Sequence, residues 1–502
     1  MAHTRQNKAG AGGVDTKTPD AQATTNIYVL YTGGTFGMRP DTQISGHPLA
    51  PVDMAQLEKA LPDAGWLSKY LKVTLDRLDH LLDSSSMTPD DWIQIAQKIE
   101  RNYNSHDGFI VIQGTDTLAY TASALSFMLE NLGKPVVMTG AQVPLFQDGS
   151  DAPVNYMHAL HIAGHTVSGL PAVCEVTVVF GGKLLRGCRT RKTSVAGVAG
   201  FESPNYPPLG ELGDTIRVFA DRILPCPPTG QMFKVNYDLN RNVLDFSLYP
   251  GLRADYLRQI LAVEPMDGLM LRSFGAGNAP EDAAFQEALK KGVRNTRLAV
   301  TISQCAQGTI NMGQYAAGMS LVDAGFISGM DMTPEAALTK LMMVLGKHPD
   351  SRARTEMLIS QRGEQSLDLF ELEFPVPNGF VQDSWSGSVI IDRRFDALAV
   401  SGATLRLDNM LACFEGGTTR ADISVYAVFS THVPEKADGS DHSQLLQRIS
   451  LDRRGSCNIV EQLSVEPIQC LTGTGNLTLA LIPSGGVRFS FDKLSLSMFT
   501  RA

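Results

Sequence analysis

The chain has no run approaching the roughly 20 consecutive apolar residues that a bilayer span needs, so no membrane partner is expected. It has no basic surplus either. Lys and Arg number 43 against 52 Asp and Glu, and the resulting charge of −9 disfavours nucleic acid or an anionic membrane as a partner. Cys-x-x-Cys pairs are absent. The seven cysteines (Cys174, Cys188, Cys226, Cys305, Cys413, Cys457, Cys470) are odd in number and widely spread, so neither a disulfide framework nor a zinc site is expected, and a reducing cytoplasm fits. Residues 1–25 lack the apolar segment of a signal peptide and are rich in Gly, Ala, Thr and Lys, which reads as a disordered start. No repeat of fixed period is visible.

What is present is a pair of threonine turns. Ile27-Tyr28-Val29-Leu30-Tyr31 runs into Thr32-Gly33-Gly34-Thr35, and Phe109-Ile110-Val111-Ile112 runs into Gly114-Thr115-Asp116-Thr117. Short apolar runs halted by glycine read as buried strands ending in tight turns. Ligands of open α/β sheets bind at the carboxyl ends of strands, so two such turns side by side would put two threonine hydroxyls in one crevice. A threonine hydroxyl needs a base and oxyanion donors to act as a nucleophile. Asp116 adjoins Thr115, and Lys192 in Arg189-Thr190-Arg191-Lys192-Thr193 is a second candidate, because a lysine desolvated beside a carboxylate can accept a proton. The plainer reading is that the glycines only let the chain turn. A phosphate cradle is disfavoured, since neither turn has Gly-x-Gly-x-x-Gly or Gly-Lys-Ser/Thr spacing.

Strand and helix patterns alternate up to about Phe219. Thr88-Pro89-Asp90-Asp91 opens a helix by cap, first-position proline and acidic first turn. A second helix is expected over Ala119–Leu132, and Pro135–Met138 reads as the next strand. The expected architecture is α/β: two domains built on mostly parallel sheet, residues 26–220 and 241–372, joined by a Pro-rich linker at 221–240. Residues 378–502 carry short alternating runs between glycine-rich turns and read as an accessory all-β sandwich, hung on a linker at Phe374–Gly379.

The two turns, Asp83-Ser84-Ser85-Ser86-Met87, the Lys192 segment, the run Tyr120–Pro135, Asn278-Ala279-Pro280 and Asn311-Met312-Gly313 occur in one order from about Asn26 to Asp368. This set resembles the L-asparaginases, in particular their cytoplasmic type I branch. The resemblance implies hydrolysis of the L-asparagine side-chain amide, with Thr35 as nucleophile. It implies a second triad of Thr115, Asp116 and Lys192 for water activation or proton transfer. Ser84, Ser85 and Asp116 would hold the substrate's α-carboxylate and α-amine, and Asn278 would reach a neighbouring subunit's site. A homodimer or homotetramer without metal or cofactor is implied. Alternatives are a glutaminase or other amidase, the amide-releasing subunit of a transfer-RNA-dependent amidotransferase, and a weakly active scaffold acting through its β region.

Two departures stand out. Relatives carry a tyrosine after the first turn, yet none occurs between Phe36 and Trp66, where His47 is the substitute candidate. Arg272 and Cys305 match two residues of an effector site, but Arg191 stands where relatives have threonine. Cys305 reads otherwise as buried packing. His158, His161 and His165 share a helical face and read as packed or polar rather than zinc-binding. Phe489, Phe491 and Phe499 read as β-domain core, and Arg393-Arg394 and Arg453-Arg454 as solvated surface.

Overall fold

The computed structural model describes residues 24–40, 49–262, 266–310, 312, 316–381, 384–390, 400–414, 420–430, 444–452, 457–463, 465–469, 476–484 and 487–501. The disordered reading of the first 25 residues, His47, Asn311, Gly313, Cys470 and both Arg-Arg pairs fall wholly or largely outside these.

The strand Thr25–Tyr31, apolar and buried from Ile27 onward, lies next to the edge strand of an eight-stranded sheet. From one edge the order is Leu71–Arg77, Thr25–Tyr31, Gly108–Ile112, Val136–Thr139, Val176–Phe180, Lys183–Arg186, Gly210–Leu212 and Ile216–Val218. The first five strands are parallel, and the last three add antiparallel. Parallel strands covered on both faces need apolar residues at every position, and Gly108–Ile112, Val136–Thr139 and Val176–Phe180 are buried throughout. The helix Pro89–Asn102 starts at Thr88, whose N–H and hydroxyl both donate to the Asp91 carboxylate, and it buries Trp92, Ile95, Ala96 and Ile99. The next helix is shorter than its sequence pattern. It spans Leu118–Met128, because Leu129–Glu130 turns extended to pair with Lys234–Val235.

The second domain is a four-stranded parallel sheet, Val243–Ser247, Gly268–Ser273, Leu298–Ser303 and Ile327–Ser328. Its helix Ala283–Arg294 is capped by the Asp282 carboxylate on the Phe285 N–H, and Pro334–Lys347 by the Thr333 hydroxyl on the Ala336 N–H. The C-terminal region is two antiparallel sheets over one apolar core that includes Leu405, Ile423, Leu479, Phe489 and Leu496.

Residues 221–240, between the two sheets, pack against the first domain. Phe233 stacks on Tyr103 at 3.7 Å, the Tyr237 hydroxyl donates to Glu100 at 2.6 Å, and the Leu224 N–H donates to Glu175 at 2.5 Å. Two sequence expectations are corrected. Cys174 and Cys226 form a disulfide across 52 positions, a pairing created by that segment folding back on the first domain and invisible in cysteine spacing. The accessory region does not start at 378. Leu367–Phe374 pairs along its length with Lys493–Arg501, and Leu372 and Phe374 sit in the sandwich core while Leu369 sits in the core of the second domain. One strand therefore serves both bodies, since its alternate side chains point opposite ways.

Candidate active site

The crevice forms where Thr25–Tyr31 and Gly108–Ile112, hydrogen-bonded neighbours in parallel register, both end. Gly33 and Gly34 have φ of 115° and 84°, conformations that disfavour any side chain, and a Cβ on Gly34 would run into the backbone of Gly114. The two turns are in backbone contact. Thr32 is fixed beneath them, its N–H donating to the Ile112 carbonyl at 2.9 Å and its hydroxyl to the same oxygen at 3.2 Å. Thr35 opens a 3₁₀ turn, Thr35–Gly37, and is half-buried.

The serine segment closes the third side. The buried Ser84 hydroxyl accepts from the Asp116 N–H at 3.2 Å, and its carbonyl accepts from the Thr117 hydroxyl at 2.7 Å. Ser85 is exposed, its N–H and hydroxyl donating to Asp83 at 2.9 and 2.8 Å, and these donors hold the Asp83 carboxyl below the usual carboxylate range. The helix Leu118–Met128 begins directly after Thr117, so its positive N-terminal end is presented at the turn.

Lys192 arrives from a different part of the first domain. It lies on a two-residue strand paired with Phe201–Glu202, and its amine donates to the Thr115 hydroxyl at 2.8 Å and to Asp116 at 2.6 Å. The lysine side chain is 16 % exposed and the Asp116 side chain 63 %, so the pair is screened on the carboxylate side and enclosed on the amine side. Thr115 Oγ1 also lies 3.4 Å from Gln142 Oε1, and the Gln142 amide nitrogen donates to the Ser194 and Gly197 carbonyls. Gln142 was not singled out in the sequence, where a glutamine after a glycine turn carries no pattern.

The structure thus brings Thr115, Asp116, Lys192 and Ser84 together, with Thr35 and Ser85 on the flanking turns. Asn278 lies in the second domain, where its backbone pairs with Phe274 in an isolated bridge. Tyr31 is the tyrosine next to the first turn. It is fully buried, its hydroxyl 3.3 Å from the Gly34 carbonyl, and burial pushes its phenol up, away from any role as base near neutrality.

Arg272 is paired with Asp245 through the Nε and Nη2 of its guanidinium. Cys305, expected buried, is exposed. Among the described free cysteines Cys188 is the buried one, its thiol pushed up to about 12 by desolvation. Arg191 approaches Glu335 at 3.9 Å, and burial raises the Glu335 carboxyl. His158 and His161 lie on the helix Ala152–Ala163 and His165 begins the next. His161 bonds the Ser168 hydroxyl at 3.0 Å, and burial lowers the pKa of all three.

The family described as "Asparaginase, N-terminal" matches residues 26–224, and "Glutaminase/Asparaginase C-terminal domain" matches 242–358. The L-asparaginase 1 of Escherichia coli K12 is 41 % identical over 349 residues, covering 68 % of this chain and 98 % of that one. The chain belongs to the asparaginase family. A crystal structure of L-asparaginase I from Vibrio cholerae superposes with a TM-score of 0.61 at 39 % identity, covering 68 % of this chain and all of that one. A human "60 kDa lysophospholipase" is 35 % identical over 395 residues, covering 74 % of this chain and 67 % of its own length. The two family segments end before the sandwich. No helix among the described residues is long and apolar enough to cross a membrane.

Proposed function

We propose that this chain hydrolyses the side-chain amide of L-asparagine to L-aspartate and ammonia. The observation that supports this most directly is the Lys192 amine within hydrogen-bond reach of both Thr115 and Asp116, on a turn in backbone contact with the turn that carries Thr35. In this reading the Thr35 oxygen attacks the amide carbon, and the collapsing tetrahedral species expels ammonia and leaves an acyl-enzyme. Backbone N–H groups of the glycine turns stabilise the oxyanion. Thr115, hydrogen-bonded to Lys192, moves the proton to the leaving nitrogen and then orients the water that releases aspartate. The Ser84–Ser85 segment, the Asp116 carboxylate and the adjacent helix N-terminus suit an α-carboxylate and α-amine.

The enzyme is read as cytoplasmic and as a homodimer or homotetramer, in which Asn278 completes a neighbour's site. Ammonia release from asparagine and from glutamine by the purified full chain tests the reading. Turnover of asparagine is expected, and turnover of neither amide would overturn it.

A further inference from the structure

The stretch Arg186–Lys192 leads from the sheet to the lysine, and three of its side chains, Arg186, Cys188 and Arg189, reach the distant turn at residues 362–366. Arg186 pairs with Glu175 at 2.6 Å, and the Cys188 thiol donates to the Arg362 carbonyl at 3.4 Å. Arg189 is the centre. It is 1 % exposed, and its guanidinium donates to Asp331 at 2.8 Å, to the Gly363 carbonyl at 2.7 Å and to the Ser366 hydroxyl at 3.1 Å. Asp331 in turn accepts from the Ser366 N–H at 2.8 Å and from the Ser366 hydroxyl at 2.6 Å. A planar fork with its donors spent on a carboxylate, a carbonyl and a hydroxyl has one geometry, which a lysine cannot reproduce.

The turn that receives Arg189 is itself rigid. Glu364 beneath it is fully buried against Lys340 at 2.6 Å and accepts the Gln361 and Arg362 N–H groups. Gly363 has φ +72°, and a Cβ there would lie 2.5 Å from Arg186 Nη1, so the close approach requires glycine. Immediately after Ser366 the chain enters Leu367–Phe374, the strand shared with the sandwich. On the other side, Arg189 closes the 3₁₀ turn Gly187–Arg189 and only Thr190–Arg191 separate it from Lys192, with the Thr190 hydroxyl donating to the Arg186 carbonyl at 2.7 Å.

We infer that Arg189, clamped by Asp331 and Ser366, is a positioning residue that seats the Lys192 amine against Thr115, and that the clamp ties the seating of the accessory sandwich to turnover. This rests on the reading that Lys192 acts in the reaction. The clamp spans three bodies: Arg189 from the first domain, Asp331 from the second, and Ser366 at the root of the sandwich.

Ser366→Ala is the test, because it removes one bond to Arg189 and one to Asp331 while leaving their ion pair. A misplacement of about 1 Å can cost ~100-fold in rate, and for this partial loosening we expect kcat for asparagine to fall about tenfold with KM within about twofold. Ser366→Thr keeps the hydroxyl and should restore most of kcat. A second readout needs no turnover: the rate of reductive methylation of the Lys192 amine, followed by peptide mass spectrometry, should rise in Ser366→Ala. Unchanged methylation, or an unchanged kcat, would overturn the inference, as would a rise in KM alone. Lys192→Met separates the two claims. Loss of several orders of magnitude in kcat there, beside a wild-type Ser366→Ala, refutes only the positioning role. Wild-type kcat in Lys192→Met refutes the reading on which it rests and removes the object of the positioning.

Discussion

Ending the chain after Glu373 is the perturbation on which sequence and structure give opposite answers. From the sequence, Phe374–Gly379 is a linker, and the truncated protein should stay soluble with asparaginase kcat within about tenfold. In the structure the cut falls inside a strand. Phe370, Leu372 and Phe374 are 4, 9 and 4 % exposed, and Leu372 and Phe374 belong to the sandwich core. Truncation leaves Phe370 and Leu372 without cover, at about 1.5–3 kcal/mol each, so about 3–6 kcal/mol in all. That is a large share of the ~5–15 kcal/mol that holds a typical domain. It also bares the hydrogen-bonding edge facing Lys493–Arg501, a template for aggregation. The truncated chain should elute as aggregate on size exclusion and melt earlier and more broadly than the full chain. Adding Phe370→Ser with Leu372→Thr should raise its soluble fraction while destabilising the full-length protein. A monodisperse chain 1–373 with the full-length melting profile would refute the shared-strand argument.

Other outcomes follow from particular groups. His158, His161 and His165 have folded pKa values lowered by burial, so they stabilise above the ordinary histidine range and lose that contribution as pH falls through it. Tm should therefore drop between pH 7 and pH 5 and drop less in His158→Gln; an identical slope would assign the loss elsewhere. The non-reduced denatured protein should titrate two fewer thiols than the reduced one. Cys226→Ser should cost about 4 kcal/mol by loop-closure entropy, and equal thiol counts would deny the bond. If His47 replaces the loop tyrosine, His47→Phe should remove an acid limb in the kcat profile near pH 6–7, and an unaltered profile makes it a bystander.

Local chemistry was legible in the sequence wherever neighbours in the chain decide it. Thr32–Thr35 and Gly114–Thr117 read as strand-end turns because apolar runs stopped by glycine leave few other structures, and Thr88-Pro89-Asp90-Asp91 carries a complete helix start. The alternating runs of the tail read as antiparallel strands for the same reason. What could not be read depends on distant contacts. The Cys174–Cys226 bond, the packing of 221–240 and the Arg189 clamp each join segments that no periodicity relates. Leu367–Phe374 misleads for a physical reason: with Leu369 in the second domain's core and Leu372 and Phe374 in the sandwich core, the strand looks continuous with the domain before it, and Pro375 and Pro377 look like a boundary.

The central claim is that paired threonine turns, one of them carrying the lysine-bonded Thr115, perform the hydrolysis. It is tested most directly by steady-state ammonia release from asparagine in Thr35→Val and Thr115→Val, with melting curves alongside. Valine keeps the shape and removes the hydroxyl, so each variant should lose several orders of magnitude in kcat while melting as the wild type does. Near-wild-type kcat in both variants with normal melting would contradict the threonine mechanism.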